Sequence, residues 1–347
     1  MGEDEIRLMR LVNQHLIVKT GKIEAIRDTL GYQAQYFGNS RHAARIRTSE
    51  PLDPNRWGEG LYRSWTLRGT LHVFAAQDLP LFFRAGKEPE QVCESAFFAF
   101  MRARGYGIDE ERARFFARLI VDCVSRGAGE REALRSLCRE TGMSRDEEKH
   151  LFNPWGGVIR ELAENGTLCL AACGKKEYVL PAPFAPLPPG EAETELARRY
   201  FAHFGPATLK DAAYFFGKPQ KDIKAALDRL EHKAVSCGGK TLFFIESGRG
   251  YGADMPACVF LAGFDQLMLG YEKSESLFLA PEHIRDIFNL AGIVFPALLL
   301  DGRAAGRWKE EKKSIRVFPF SSLAATTKRR IVAEAARYWA DKQVVFE

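Results

Sequence analysis

The chain has 347 residues, 46% of them hydrophobic and 27% charged, with a formal net charge of +5. That balance excludes a disordered or fibrous chain, and the length calls for roughly two to four domains. No run approaches the ~18 uninterrupted apolar residues of a membrane span, and the richest one, residues 291–300, carries Pro296 and reads as a buried strand.

The first residues, Gly2-Glu3-Asp4-Glu5, are acidic where a secretory leader is basic and then apolar, so a cytoplasmic protein is expected. Gly2 is followed at position 6 by Ile, not the Ser or Thr of a myristoylation signal. Seven scattered cysteines fit free thiols better than a disulfide framework. Cys169 and Cys173 have no second Cys or His pair at zinc spacing, so no metal is expected. A pI of about 8.8 permits nucleic-acid binding, but many enzymes share it.

In chain order, residues 1–86 predict helices at 6–17, 23–30 and 39–47, then strands within 64–74. Residues 87–108 read as a connector with a helical middle. Residues 109–190 hold a helix over 109–126 stopped by Gly127 and Gly129, a shorter one over 130–141, and a third through 163 opened by the capping-box pair Ser144 and Glu147. A hairpin follows around Gly174-Lys175-Lys176, and then a proline-rich stretch, 181–189.

Residues 191–256 repeat this design. A helix at 196–204 precedes a short one at 209–216 capped by Thr208, a third from Pro219 to Lys233, and a hairpin around Gly238-Gly239-Lys240. Both hairpins carry Cys-Gly at the turn, Cys173-Gly174 and Cys237-Gly238. Residues 257–347 change character, with apolar runs at 257–262 and 293–300, the turn Asp301-Gly302, strands at 303–308 and 315–318, a helix over 323–342 and an edge strand at 344–346. The expected fold is therefore α+β, mainly α, with three tandem winged-helix units and a small C-terminal β-rich, barrel-like domain.

A winged helix sets its third helix in a DNA groove and its hairpin on the backbone. Lys175, Lys176 and Lys240 at the hairpin tips suit phosphate contact, because an ammonium on a glycine turn can follow a polyanion. Equally, such units can mediate protein contacts, and solvated turns favour lysine for its own sake. The P-loop, Gly-x-Ser-x-Gly and His-Glu-x-x-His signatures are absent, and the seven histidines are dispersed.

Five blocks point further. They are Gln33-Ala34-Gln35-Tyr36 followed by Arg41, Arg45 and Arg47; Arg68-Gly69-Thr70-Leu71-His72; Gly205 to Asp211; Gly263-Phe264-Asp265 to Tyr271; and Pro296 to Trp308 through Asp301-Gly302-Arg303. In this combination and order the chain resembles the winged-helix DNA glycosylases of the AlkZ/YcaQ type. The resemblance implies tandem winged helices around a central channel, a β-rich C-terminal domain, and excision of N-alkylated purines, with interstrand cross-links as substrates of some members. It places the site motif, Gln–apolar–Gln or Asp, on Gln33, Ala34 and Gln35. After Tyr271 the chain reads Glu-Lys-Ser-Glu-Ser in place of an expected arginine.

The chemistry can be weighed on its own. Glycoside hydrolases use two carboxylates because a neutral leaving group needs a proton and water needs a base. A glutamine amide supplies neither. A purine alkylated at N7 or N3 is already cationic and leaves without a general acid. What remains is to place a water under the anomeric carbon and to stabilise an oxocarbenium-like state, which two amide carbonyls can do. A Gln pair therefore suits cationic lesions, predicts modest acceleration, and needs neither metal nor cofactor.

Residues two apart share a face only in extended chain, so Gln33 and Gln35 are expected on a non-helical segment after Gly31. Arg68 and His72 are expected with Thr70 on one face of a strand, near phosphate, and Arg41, Arg45 and Arg47 on a helix along the backbone. The bland readings are a solvated face for the arginines and a satisfied core group for His72. The tryptophans Trp57, Trp65, Trp155, Trp308 and Trp339 read as core packing. The partner expected is double-stranded, preferably alkylated, DNA, bound by a monomer that acts as a monofunctional glycosylase. The alternative is a non-catalytic winged-helix DNA-binding protein or regulator, although regulators are usually symmetric dimers.

Overall fold

The computed structural model describes residues 1–83, 99–100, 103, 108–153 and 156–347. Most of the expected connector and Trp155 lie outside the described residues. Contacts divide the chain into two units, residues 53–192 and residues 1–52 with 193–347.

In the unit of residues 53–192, β2 (Leu61–Trp65) and β3 (Leu71–Ala75) form an antiparallel hairpin with Leu61 opposite Ala75. Helices Glu110–Ser125 and Arg131–Glu140 follow, the first capped by the Asp109 carboxylate, which accepts from the Arg112 amide. The single helix expected after Ser144 is two, Arg145–Leu151 and Val158–Glu164, because Gly157 is extended at φ −150°. A Cβ there would sit 2.8 Å from the Asn153 amide nitrogen, so the chain can turn this tightly only at glycine. Strands β4 (Cys169–Ala171) and β5 (Tyr178–Val179) close the unit. Phe116, Ile120, Leu134, Leu151 and Leu162 fill the core between the helices and β4.

Strand β2 also pairs with β4, Tyr62 opposite Ala171, giving the strand order β3-β2-β4-β5. This pairing joins the hairpin of residues 61–75 to the helices that follow it, across the expected boundary at 86/87.

Gly129 lies where the first two helices of this unit meet β5. A Cβ on it would stand 2.9 Å from the Tyr178 carbonyl carbon and closer still to its oxygen. Gly129→Ala is expected to cost about 1–3 kcal/mol through forced backbone displacement, read as a lower urea midpoint. An unchanged midpoint would refute the close approach.

In the other unit, helices Glu3–Asn13, Lys22–Asp28 and Phe37–Arg45 open the chain. Helices Pro189–His203, Leu209–Phe216 and Gln220–Leu227 then lead to the hairpin β6 (Lys233–Cys237) and β7 (Lys240–Phe244). The third of these helices stops six residues short of the expected Lys233, its last turn tightening as the Leu230 amide bonds the Leu227 carbonyl at 2.9 Å. The Thr208 and Asp211 side chains form a reciprocal cap on Leu209–Phe216, which is the role of the Gly205–Asp211 block.

The C-terminal part is a five-stranded sheet in the order β12-β11-β10-β9-β8, with β8 (Cys258–Phe260) and β12 (Gln343–Phe346) at its edges. Strands β9 (Ala297–Leu300), β10 (Arg303–Glu310) and β11 (Ser314–Pro319) form the antiparallel meander, and β12 joins β11 in parallel. Helix Ala325–Ala336 covers the sheet through Ile331 and Ala335, which pack with Phe260, Leu298, Trp308 and Val317. Trp308 and Trp339 belong to this core, and the Trp308 indole donates to the Leu261 carbonyl at 2.8 Å.

Candidate active site around Gln33

Helix Lys22–Asp28 ends in two left-handed residues, Leu30 at φ 60° and Gly31 at φ 86°. The Gly31 amide returns to the Ile26 carbonyl at 2.8 Å, a glycine-terminated helix end that redirects the chain. Strand β1 (Tyr32–Gln33) then runs extended, the chain bends at Gln35 and Tyr36, and helix Phe37–Arg45 begins. The expected non-helical segment is there. Its two glutamines differ, however: Gln33 is 6% exposed, whereas Gln35 lies on the surface.

The segment is cradled by residues 263–266. The Gln266 amide nitrogen donates to the Gly31 carbonyl. Phe264 stacks on Tyr36 with ring centroids 5.9 Å apart. Gly263 leaves room for Asn39, whose Nδ2 would stand 2.6 Å from a Cβ. Asp265 takes a fork of hydrogen bonds from Arg47 at 2.6 and 3.0 Å, both side chains fully buried. Arg47 further donates to the Gln14 and Ala43 carbonyls and lies 5.5 Å from the Tyr32 ring centroid.

Within this packing two buried polar atoms, Gln33 Oε1 and Gln266 Oε1, have no hydrogen-bond partner among the described residues. Burial pushes the Tyr32 phenol up to about 12, so it stays neutral. An unpaired buried carbonyl costs about 1–3 kcal/mol, a penalty that a bound water or substrate atom removes. Gln33 Oε1 is thus an acceptor held in a low-dielectric pocket without an internal bond.

The basic residues divide. Arg47, expected along DNA, is instead a core residue locked to Asp265, a partner 218 positions away. Arg45 is exposed but its guanidinium donates to the Tyr338 carbonyl at 2.6 Å, and Arg41 is half-exposed. Lys175 and Lys176 stand exposed between β4 and β5. The Lys240 ammonium is 2.9 Å from Glu275, which also binds Lys210 at 2.6 Å. The Glu272–Ser276 loop that departs from the resemblance thus supplies a carboxylate to two lysines.

Arg68 is not on a strand. It sits in the β2–β3 turn at φ 57°, half-exposed. His72, expected near phosphate, is fully buried on β3, its Nδ1 donating to the Thr70 carbonyl at 2.9 Å. The alternation that would put Arg68 and His72 on one face fails because β3 begins only at Leu71.

Burial pulls His72 down to about 3, with Arg68 adding to the shift, and pulls His42 and His203 down to about 4. All three are neutral in the folded protein at pH 7, while an unfolded histidine titrates near 6.5. From pH ~6.5 down to about 4 the unfolded chain therefore binds more protons, and stability falls with acidification. Urea midpoints measured from pH 7.5 to 4.5 are expected to drop steadily below pH 6.5; a flat profile would contradict the burial of these imidazoles.

His203 belongs to a further group. His15 Nε2 is 2.8 Å and His203 Nε2 3.4 Å from the Asp28 carboxylate, and the three offer ligand atoms within 4.8 Å of one another. The Arg249 guanidinium, 3.5 Å from the same carboxylate, already stands where a cation would balance its charge. The group ties three helix ends together.

Sequence reasoning missed Asp265, Gln266 and Tyr36 as parts of the site. Asp265 and Gln266 lie in a quoted block, but no local signal ties them to a segment so distant in the chain.

A family model described as "DNA glycosylase AlkZ-like" matches residues 26–340. A curated relative from Streptomyces sahachiroi, named "Interstrand DNA cross-link repair glycosylase", is 27% identical over 345 residues, covering 88% of this chain and 86% of its own. The solved structure of Streptomyces sahachiroi DNA glycosylase AlkZ superposes with a TM-score of 0.78 at 21% identity, covering 100% of both chains.

Proposed function

Because the chain belongs to the AlkZ-like DNA glycosylase family, we propose that it hydrolyses the N-glycosidic bond of cationic N-alkylated purines in duplex DNA, using a water held by Gln33 and Gln35. The observation that carries this reading is the buried Gln33 carbonyl oxygen, without a hydrogen-bond partner among the described residues, on a segment tied to Gln266 through Gly31. Water adds to the anomeric carbon as the bond to the purine breaks. The electron pair goes to the purine, cancelling its positive charge, and the water's proton passes to solvent, since no amide can keep it.

Gln33 orients the water and presents the negative end of its dipole to the developing cation. Gln35, exposed at the bend, contacts the same water from the solvent side once DNA covers it. We read the helix–helix–helix–hairpin segments as winged helices that grip the DNA backbone, with Lys175, Lys176, Arg41 and Arg68 as phosphate contacts. The similarity to a relative named as a cross-link repair glycosylase supports a substrate range that includes interstrand cross-links made through alkylated purines.

The test is release of 7-methylguanine from methylated duplex DNA by the parent and by the Gln33→Ala, Gln35→Ala double variant. Excision by the parent and its loss in a folded variant support the reading. Binding without release of 7-methylguanine or a bulkier N7 adduct would leave a non-catalytic DNA-binding protein.

A further inference from the structure

The residue after the glutamine pair is the most informative surface side chain of its unit. Tyr36 is 56% exposed, an unusual position for a large ring, and it directly follows the exposed Gln35. One face lies on Phe264, with centroids 5.9 Å apart and planes 22° from parallel. The other face has no aromatic partner among the described residues.

Two features of the backbone show that this exposure is built. Tyr36 occupies the N-cap of helix Phe37–Arg45 and provides no side-chain cap, where Ser, Thr, Asp or Asn would bond the free amides. A ring stands at a position where local helix energetics favour a small polar group. Its support, Phe264, has φ 56°, a left-handed conformation that bulky residues rarely adopt. That conformation is fixed by the Phe264 amide bonding the Val294 carbonyl at 3.1 Å and by Asp265 next to it, locked to Arg47. The exposed ring therefore rests on a rigid base rather than on a mobile loop.

We propose that Tyr36 is a stacking platform for the lesion: its open face receives the positively charged alkylated purine once that base leaves the DNA stack. An aromatic face carries negative potential, so it favours a cationic purine over a neutral one of the same shape. Tyr36 directly follows Gln35, so a base stacked on it stands next to the segment that carries both glutamines. Tyr36 thereby adds discrimination for charge to a site whose hydrolytic groups can expel only a cationic base. The inference rests on the glycosylase reading for the identity of the ligand, but its readout is binding and not excision.

The experiment compares two duplexes, one containing 2′-fluoro-7-methylguanine, which is cationic and resists hydrolysis, and one containing guanine at the same place. Affinities are measured by fluorescence anisotropy for the parent, Tyr36→Leu and Tyr36→Phe. The parent is expected to prefer the cationic duplex, and Tyr36→Leu to lose about tenfold of that preference while its affinity for the guanine duplex holds. Tyr36→Phe keeps the ring face and is expected to behave like the parent. An intact preference in Tyr36→Leu, or an equal loss in Tyr36→Phe, overturns the platform. Absence of excision in a parent that still shows a Tyr36-dependent preference would overturn the hydrolytic reading alone.

Discussion

Gln33→Ala is expected to slow excision of 7-methylguanine on the order of 10²–10³-fold under single-turnover conditions, with the far-UV circular dichroism unchanged. The magnitude follows from position. A preorganised dipole in a water-excluded pocket acts at a low effective dielectric, and its removal is not replaced by solvent. Gln33 is buried with its carbonyl oxygen unbonded, so truncation removes no internal hydrogen bond from that oxygen and should spare the fold. Gln35 is exposed, and water can partly substitute for its amide, so Gln35→Ala should lose about tenfold. A Gln33→Ala variant within threefold of the parent would remove Gln33 from the chemistry.

Arg47→Ala is expected to destabilise the unit containing residues 1–52 and 193–347 by about 3–5 kcal/mol, read from urea or thermal denaturation. The loss is large because Asp265 would remain buried as an unpaired carboxylate, while the Gln14 and Ala43 carbonyls lose their donor. Against a total of roughly 5–15 kcal/mol, such a change unfolds a substantial fraction of molecules at 37 °C. Replacing both partners by apolar residues, Arg47→Met with Asp265→Leu, should recover part of the loss, since no lone charge is then left. A loss below about 1 kcal/mol in Arg47→Ala would mean that the pair is solvated in solution. Excision should fall with stability here, because Gln266, next to Asp265, holds the segment that carries Gln33 through the Gly31 carbonyl.

Much of the local structure was legible in the sequence. Capping signals at Ser144 and Thr208 mark helices that begin where expected. The turn glycines near Lys175 and Lys240 mark hairpins, and Gly31 marks the exit of the chain from a helix into an extended segment. The extended placement of Gln33 was readable because helix termination and strand geometry depend on a few neighbouring residues.

Arg47 departs from expectation because local pattern assigns a guanidinium to the surface, whereas this one is buried and paired with Asp265, 218 positions away. His72 is buried, the alternative weighed for it, and Arg45 is exposed while its guanidinium donates to the Tyr338 carbonyl. The pairing of β2 with β4, across the expected boundary at 86/87, likewise joins residues more than a hundred positions apart.

By itself, then, the sequence determined where the chain coils, extends and turns, and through its five blocks the family. Only the tertiary structure decided which of two similar glutamines is buried with a free carbonyl, which arginine belongs to the core, and that Tyr36 stands exposed on a strained Phe264. The physical reason is range. Helix caps and turns are settled by groups a few residues apart, whereas the solvation of an amide, a guanidinium or a ring depends on what the rest of the chain brings against it.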